Sequence, residues 1–247
     1  MTTLTDTSAP IQPIAGTVDI SSLVKAGTAA LEDGDLRTAL EHFEEVVAAY
    51  PDRPEGHNNL GALYSSLGEF AKAEECFDRV LDLLPKNPNI LYNRGVVRSR
   101  LEKFDSARID FEAVLTITPE DADTYNNLGV ADFMQGRLKQ ARKNFKKALR
   151  LRPEYPNAVL NLCDVAIALK ETPTAVRLCE EYLDRFQSID VRRKQLDLLS
   201  GNCRQALEKA SHAAESLLMA DEQNADVRQE LGRLIQAKSV LEKPTAT

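Results

Sequence analysis

Asn59, Asn93, Asn127 and Asn161 recur at a constant step of 34 residues. A carboxamide carries both a donor and an acceptor, so a row of them can pair with the amide and carbonyl of an extended polypeptide whatever its side chains are. The same groups can instead bond to a neighbouring helix or to water, and residue type alone leaves that choice open. Asn58, Tyr92 and Asn126 each stand one residue before a member of the column, and Arg100 and Phe133 stand a few residues beyond. The two rings offer stacking surfaces for a peptide, and Arg100 offers a charge.

A second constellation is electrostatic. Between Arg137 and Arg152 the chain carries eight basic residues and no acidic one. Lys139, Arg142, Lys143, Lys146 and Arg150 have the i, i+3 and i+4 spacing that puts them along one outer helical stripe, a dock for an acidic surface or a plainly solvated face. Residues 1–87 hold 6 basic and 15 acidic residues, against 13 and 9 in 88–155, so the chain is electrically polar along its length. The net charge is −7 and there is no polybasic tail, which argues against nucleic acid as a partner.

Catalysis needs convergent groups of different kinds, and their ingredients are thin. His42, His57 and His212 are isolated, Cys76, Cys163, Cys179 and Cys203 lack metal-binding spacing, and no phosphate loop or dinucleotide fingerprint occurs. Acidic pairs such as Glu44 with Glu45 fall on outward helix faces, where solvation is expected. The expectation is a protein without enzymatic activity, catalytic residues, metal or cofactor. The opening MTTLTDTSAPIQPIAG has no basic leader and no apolar core, and no stretch is long and apolar enough to span a bilayer. A cytoplasmic protein without direct membrane insertion is expected.

The elements that must position these groups follow from four further columns in the same 34-residue step. Gly27, Gly61, Gly95 and Gly129 are followed by Ala39, Ala73, Ala107 and Ala141, then by Phe43, Phe77, Phe111 and Phe145, and then by Pro51, Pro85, Pro119 and Pro153. Small residues let two helices cross closely, the aromatic fills space toward a neighbour, and proline ends the second helix. Gly34, Gly68 and Gly136 mark the turn inside each pair, with Glu102 in that place in the third unit. The units run 20–53, 54–87, 88–121 and 122–155. A fifth, 156–189, is degenerate: Cys163 replaces the glycine, Cys179 the aromatic and Gln187 the proline. Residues 1–19 read as a flexible arm and 243–247 as a tail. Between them and the repeats, 190–242 reads as a divergent hairpin of helices 191–200 and 203–219 turning at Gly201 and Asn202, followed by an unpaired capping helix.

This combination of period and columns resembles the tetratricopeptide repeat. The resemblance implies an all-α, right-handed superhelix, an α-solenoid of antiparallel helix pairs whose first helices line a concave groove. The asparagine column then lies on that groove, similar to the ladder of O-linked N-acetylglucosamine transferases and, more loosely, to kinesin light chains. Cations that clamp a C-terminal carboxylate in chaperone-binding members are missing, since Asn89 and Asn93 stand in their place. The implied function is a scaffold or adaptor that binds an extended segment of a protein or peptide partner in the groove. A self-assembling homo-oligomer and a secretion or assembly chaperone are the alternatives.

Overall fold

The computed structural model describes residues 19–220 and 225–242, which form twelve α-helices and no strand. The arm read over 1–19, apart from Asp19, and the tail 243–247 lie outside the described residues. The chain divides into two compact units, 1–118 and 119–247.

The first unit stacks three helix pairs: α1 (Ile20–Glu32) with α2 (Leu36–Ala49), α3 (Pro54–Ser66) with α4 (Phe70–Leu83), and α5 (Pro88–Arg100) with α6 (Phe104–Ile117). Each helix packs on the one before and after it, and the first helices α3 and α5 also touch. The glycine column has a specific cause here. A Cβ placed on Gly27 would lie 2.6 Å from the Phe43 ring, on Gly61 2.9 Å from Phe77, and on Gly95 2.7 Å from Phe111. The vacancy is therefore filled by the phenylalanine of the same pair, and these rings are at most 1% exposed. The column alanines Ala39, Ala73 and Ala107 are wholly buried. Starts of helices are set locally: Asp35 accepts from the Thr38 amide and hydroxyl, and Asn87 accepts from the amides of Asn89 and Ile90, bonds typical of N-caps. Turns inside the pairs use left-handed backbone, at φ +77° for Gly34 and +78° for Gly68, while Glu102 takes φ 58°.

The second unit contains α7 (Ala122–Met134) with α8 (Leu138–Leu151) and α9 (Pro156–Ala168) with α10 (Thr172–Leu183), then α11 (Ile189–Ala220) and α12 (Ala225–Glu242). Gly129 repeats the glycine–phenylalanine arrangement, with a hypothetical Cβ 2.6 Å from Phe145. In the next pair Cys163 and Cys179 occupy those two positions together. Both are wholly buried, and their sulfurs are 3.6 Å apart. The larger residue in the glycine's place is thus matched by a smaller one in the ring's place, so the slot stays filled. The hydrogen bond with the Cys179 thiol, and then burial, push the Cys163 thiol up, which keeps it a neutral packing group.

One expectation needs correction. No turn occurs at Gly201 and Asn202: α11 runs through both as one helix of 32 residues, and neither adopts positive φ. A glycine inside a helix costs about 1 kcal/mol relative to alanine, which a long helix can absorb. The last helix is also not unpaired, because α12 packs against α11.

Candidate functional site

Each unit carries half of the asparagine column, and the two halves are bonded differently. In the first unit Asn59 on α3 and Asn93 on α5 are half-buried, and their side-chain amides make no hydrogen bond among the described residues. Asn58 beside them is also half-buried. Tyr92 turns its ring edge to Phe111, with centroids 6.0 Å apart, and packs on the core formed by α4, α5 and α6. Arg100, the last residue of α5, is exposed. In the second unit Asn161 donates to Asn126 Oδ1 at 2.9 Å, and Asn126 Nδ2 lies 3.5 Å from Asn127 Oδ1. Asn126 is buried there, and Phe133 packs beside Ala141 and Phe145. The column is open in the first unit and internally paired in the second.

Sequence periodicity did not single out the most developed polar cluster of the first unit. Leu60, Arg94, Leu128 and Leu162 form one column, and Arg94 is its exception. Its Nε and Nη2 donate to the two Asp110 oxygens at 3.0 and 2.6 Å, and its Nη1 donates to Asp78 at 2.6 Å. Arg98, one turn on, donates to Glu74 at 2.9 Å and to Asp110 at 2.8 Å. Lys103 closes the cluster on Glu74 at 2.6 Å. The Asp110 side chain is only 2% exposed, a burial tolerable only because two guanidinium groups surround it. Burial works against the charges of Arg94 and Glu74. Hydrogen bonds and charge from their partners outweigh it, raising Arg94 and holding Glu74 below the usual glutamate range. The signal that could have found this site was an arginine in a leucine column facing an aspartate in an otherwise uncharged one.

The pair before it closes the same slot more simply. Tyr64 packs with Leu60 and Cys76, and its hydroxyl donates to Glu44 at 3.1 Å. Desolvation and then Glu44 push Tyr64 up to about 12.

In the second unit the basic run on α8 divides in two. Arg137 pairs with Asp132 at 3.1 Å, Lys147 sits 5.7 Å over the Tyr125 ring, and Arg152 grips Asp123 at 2.9 and 2.7 Å. The five stripe residues named from sequence line a single cavity of about 530 Å³, floored by Leu149, Leu162 and Leu178. Arg142 alone among the five has a partner in the described residues, Glu171 at 2.5 Å. No helix among the described residues is long and apolar enough to cross a membrane.

Models of the tetratricopeptide repeat match residues 24–88, 60–125 and 132–196. No curated protein matches the chain in sequence. Solved structures share the fold. Residues 41 to the end of MamA from Desulfovibrio magneticus RS-1 are 24% identical, with a TM-score of 0.65 over 71% of this chain and 96% of that one. YrrB, described as a repeat protein of this type with an unusual peptide-binding site, is 16% identical, with a TM-score of 0.62 over 74% of this chain and 92% of its own. PilF from Pseudomonas aeruginosa is 18% identical, with a TM-score of 0.60 over 87% and 97%.

Proposed function

The chain belongs to the tetratricopeptide-repeat family, and from that premise we propose that it is a non-enzymatic protein-binding scaffold whose first helices take an extended segment of a partner. The observation that carries this reading is the pair Asn59 and Asn93. They stand on adjacent first helices, half-buried, with carboxamides that no side chain or backbone group of the described residues engages. A half-buried carboxamide without a protein partner has donor and acceptor capacity to offer a ligand. An extended backbone supplies the complementary amide and carbonyl in any sequence. Tyr92 is held by Phe111 and so contributes a wall, and exposed Arg100 reads charge at the helix end. Asn127 and Asn161 would serve the second unit only by giving up bonds they already make. YrrB, of the same fold, is described by its peptide-binding site, which agrees with a peptide ligand.

The test is to select binding peptides from a random display library and measure them by calorimetry on the full chain and on Asn59→Ala/Asn93→Ala. Each lost bond should weaken binding by about 0.5–1.5 kcal/mol with an unchanged melting temperature. Equal affinity for the selected peptides would remove the asparagine face from the mechanism.

A further inference from the structure

The cationic cavity of the second unit has a counterpart inside the molecule, and the counterpart shows what such a slot holds. Arg142, Lys146, Leu162, Ala166 and Leu178 meet around the cavity and its inner extension. Two repeats upstream the same positions are Glu74, Asp78, Arg94, Arg98 and Asp110, the members of the ion cluster in the first unit. There, long side chains rise from the floor and carry charge opposite to the rim: Arg94 and Arg98 reach Asp78 and Glu74. One pair earlier Tyr64 rises from the floor to Glu44. In the second unit the rim has changed sign and the floor has lost its reach. Leu162, Ala166 and Leu178 are too short and carry no charge, so no charged side chain among the described residues pairs with Lys146 or Lys143.

Four rim cations, Lys139, Lys143, Lys146 and Arg150, have no ion pair among the described residues. Of the nearby carboxylates, Glu171 bonds Arg142, and Glu181, at the edge of the inner extension, makes an exposed pair with Arg177 at 3.5 Å. Like charges gathered over an apolar floor repel one another, and an entering carboxylate relieves that repulsion while its aliphatic neighbours cover the leucines. The lining holds no aromatic ring, so it lacks the stacking platform on which single-stranded bases are held.

We propose that this cavity between α8, α9 and α10 docks a segment of a protein partner bearing Glu or Asp beside leucine-like side chains, on a surface separate from the asparagine face. The segment supplies from outside what Arg94 and Arg98 supply internally in the first unit: an apolar stem with a charge that answers the rim.

The probe is a fluorescein-labelled peptide of repeated Glu-Leu-Leu-Glu blocks, titrated against the full chain by fluorescence anisotropy, beside a Gln-for-Glu version and a Ser-for-Leu version. The first should bind most tightly, in a saturable and salt-weakened way, with either control weaker by at least about tenfold. Lys143→Glu/Lys146→Glu, at exposed positions, should weaken it about tenfold or more. Should that variant lose its helical circular dichroism, Lys143→Gln/Lys146→Gln is used, with a smaller loss in the same direction. Asn59→Ala/Asn93→Ala should leave the affinity unchanged, which keeps this result independent of the asparagine reading. The proposal is overturned by no saturable binding, by equal binding of either control peptide, or by indifference to the rim variants. It is equally overturned if single-stranded oligothymidylate or phosphatidylserine vesicles bind more tightly than the peptide with the same sensitivity to the variants.

Discussion

The first unit closes its inter-repeat slot with its own side chains, and the second leaves the equivalent slot open. Backbone and periodicity are shared, so the difference lies in five side chains. Where Arg94, Arg98 and Asp110 stand, the slot is a buried ion cluster; where Leu162, Ala166 and Leu178 stand, it is a leucine-floored cavity under lysines that have no ion pair among the described residues. A repeat scaffold can thus exchange an internal interaction for a binding surface without altering helix geometry, because each pair contacts mainly its neighbours. A second contrast runs the same way. The phenylalanine–glycine lock of four pairs becomes a cysteine–cysteine contact in the fifth, again by paired replacement.

The largest effect should come from breaking the closed slot. Asp110→Ala strands two arginines without their buried counter-charge and should cost about 3–5 kcal/mol, read as faster hydrogen exchange across α4, α5 and α6. Lys146→Ala on the open slot should change stability by less than about 0.5 kcal/mol, as an exposed substitution. Comparable losses from the two would erase the distinction between a structural slot and an open one.

Packing locks come next. Gly95→Ala forces a methyl to within 2.7 Å of the Phe111 ring and should cost about 1–3 kcal/mol. In the fifth pair, Cys179→Phe alone should be similarly harmful, because its ring must enter space held by Cys163. Adding Cys163→Gly should recover at least about 1 kcal/mol of that loss. An additive double-mutant cycle, measured by urea unfolding, would show that the two cysteines do not share the slot.

Acid should act on the closed slot. Glu74 has a folded pKa below its ordinary value because hydrogen bonds from Lys103 and Arg98 outweigh burial. Its contribution to stability is therefore present above the usual glutamate range and lost as pH falls through the depressed folded value. Unfolding free energy plotted against pH should flatten in that acid window for Glu74→Gln, and an unchanged slope would contradict the assignment.

The smallest effect should be equal in both units. Glu102 and Lys170 hold left-handed backbone at φ 58° and 61° where other turns use glycine. Glu102→Gly and Lys170→Gly should each stabilise by about 0.5–1 kcal/mol, the relief of left-handed strain offset in part by glycine's chain entropy. Thermal melts would read this as a small rise, and a fall in either variant would mean that the replaced side chain holds a stabilising contact.

Much of the architecture is legible in the sequence, and the reason is local. Glycine, alanine, phenylalanine and proline each impose a volume or backbone condition, and recurrence every 34 residues states that condition four times. The same logic failed at Gly201 and Asn202, where a turn signal stands once and α11 overrides it. The basic stripe was also legible, since helical spacing alone aligns its five residues. What lay beneath them was not.

The amino-acid sequence by itself determined the five repeat pairs, their period, the turns at Gly34, Gly68 and Gly136 and the helices that carry the asparagines and lysines, because these depend on residues within one pair. Only tertiary structure decided which side chains from three successive helices meet: that Arg94 finds Asp110 and Asp78, that Asn161 finds Asn126, and that Leu162 and Leu178 leave space beneath Lys146. Those outcomes depend on how far each side chain reaches across helices, a length that periodicity does not encode and that packing alone sets.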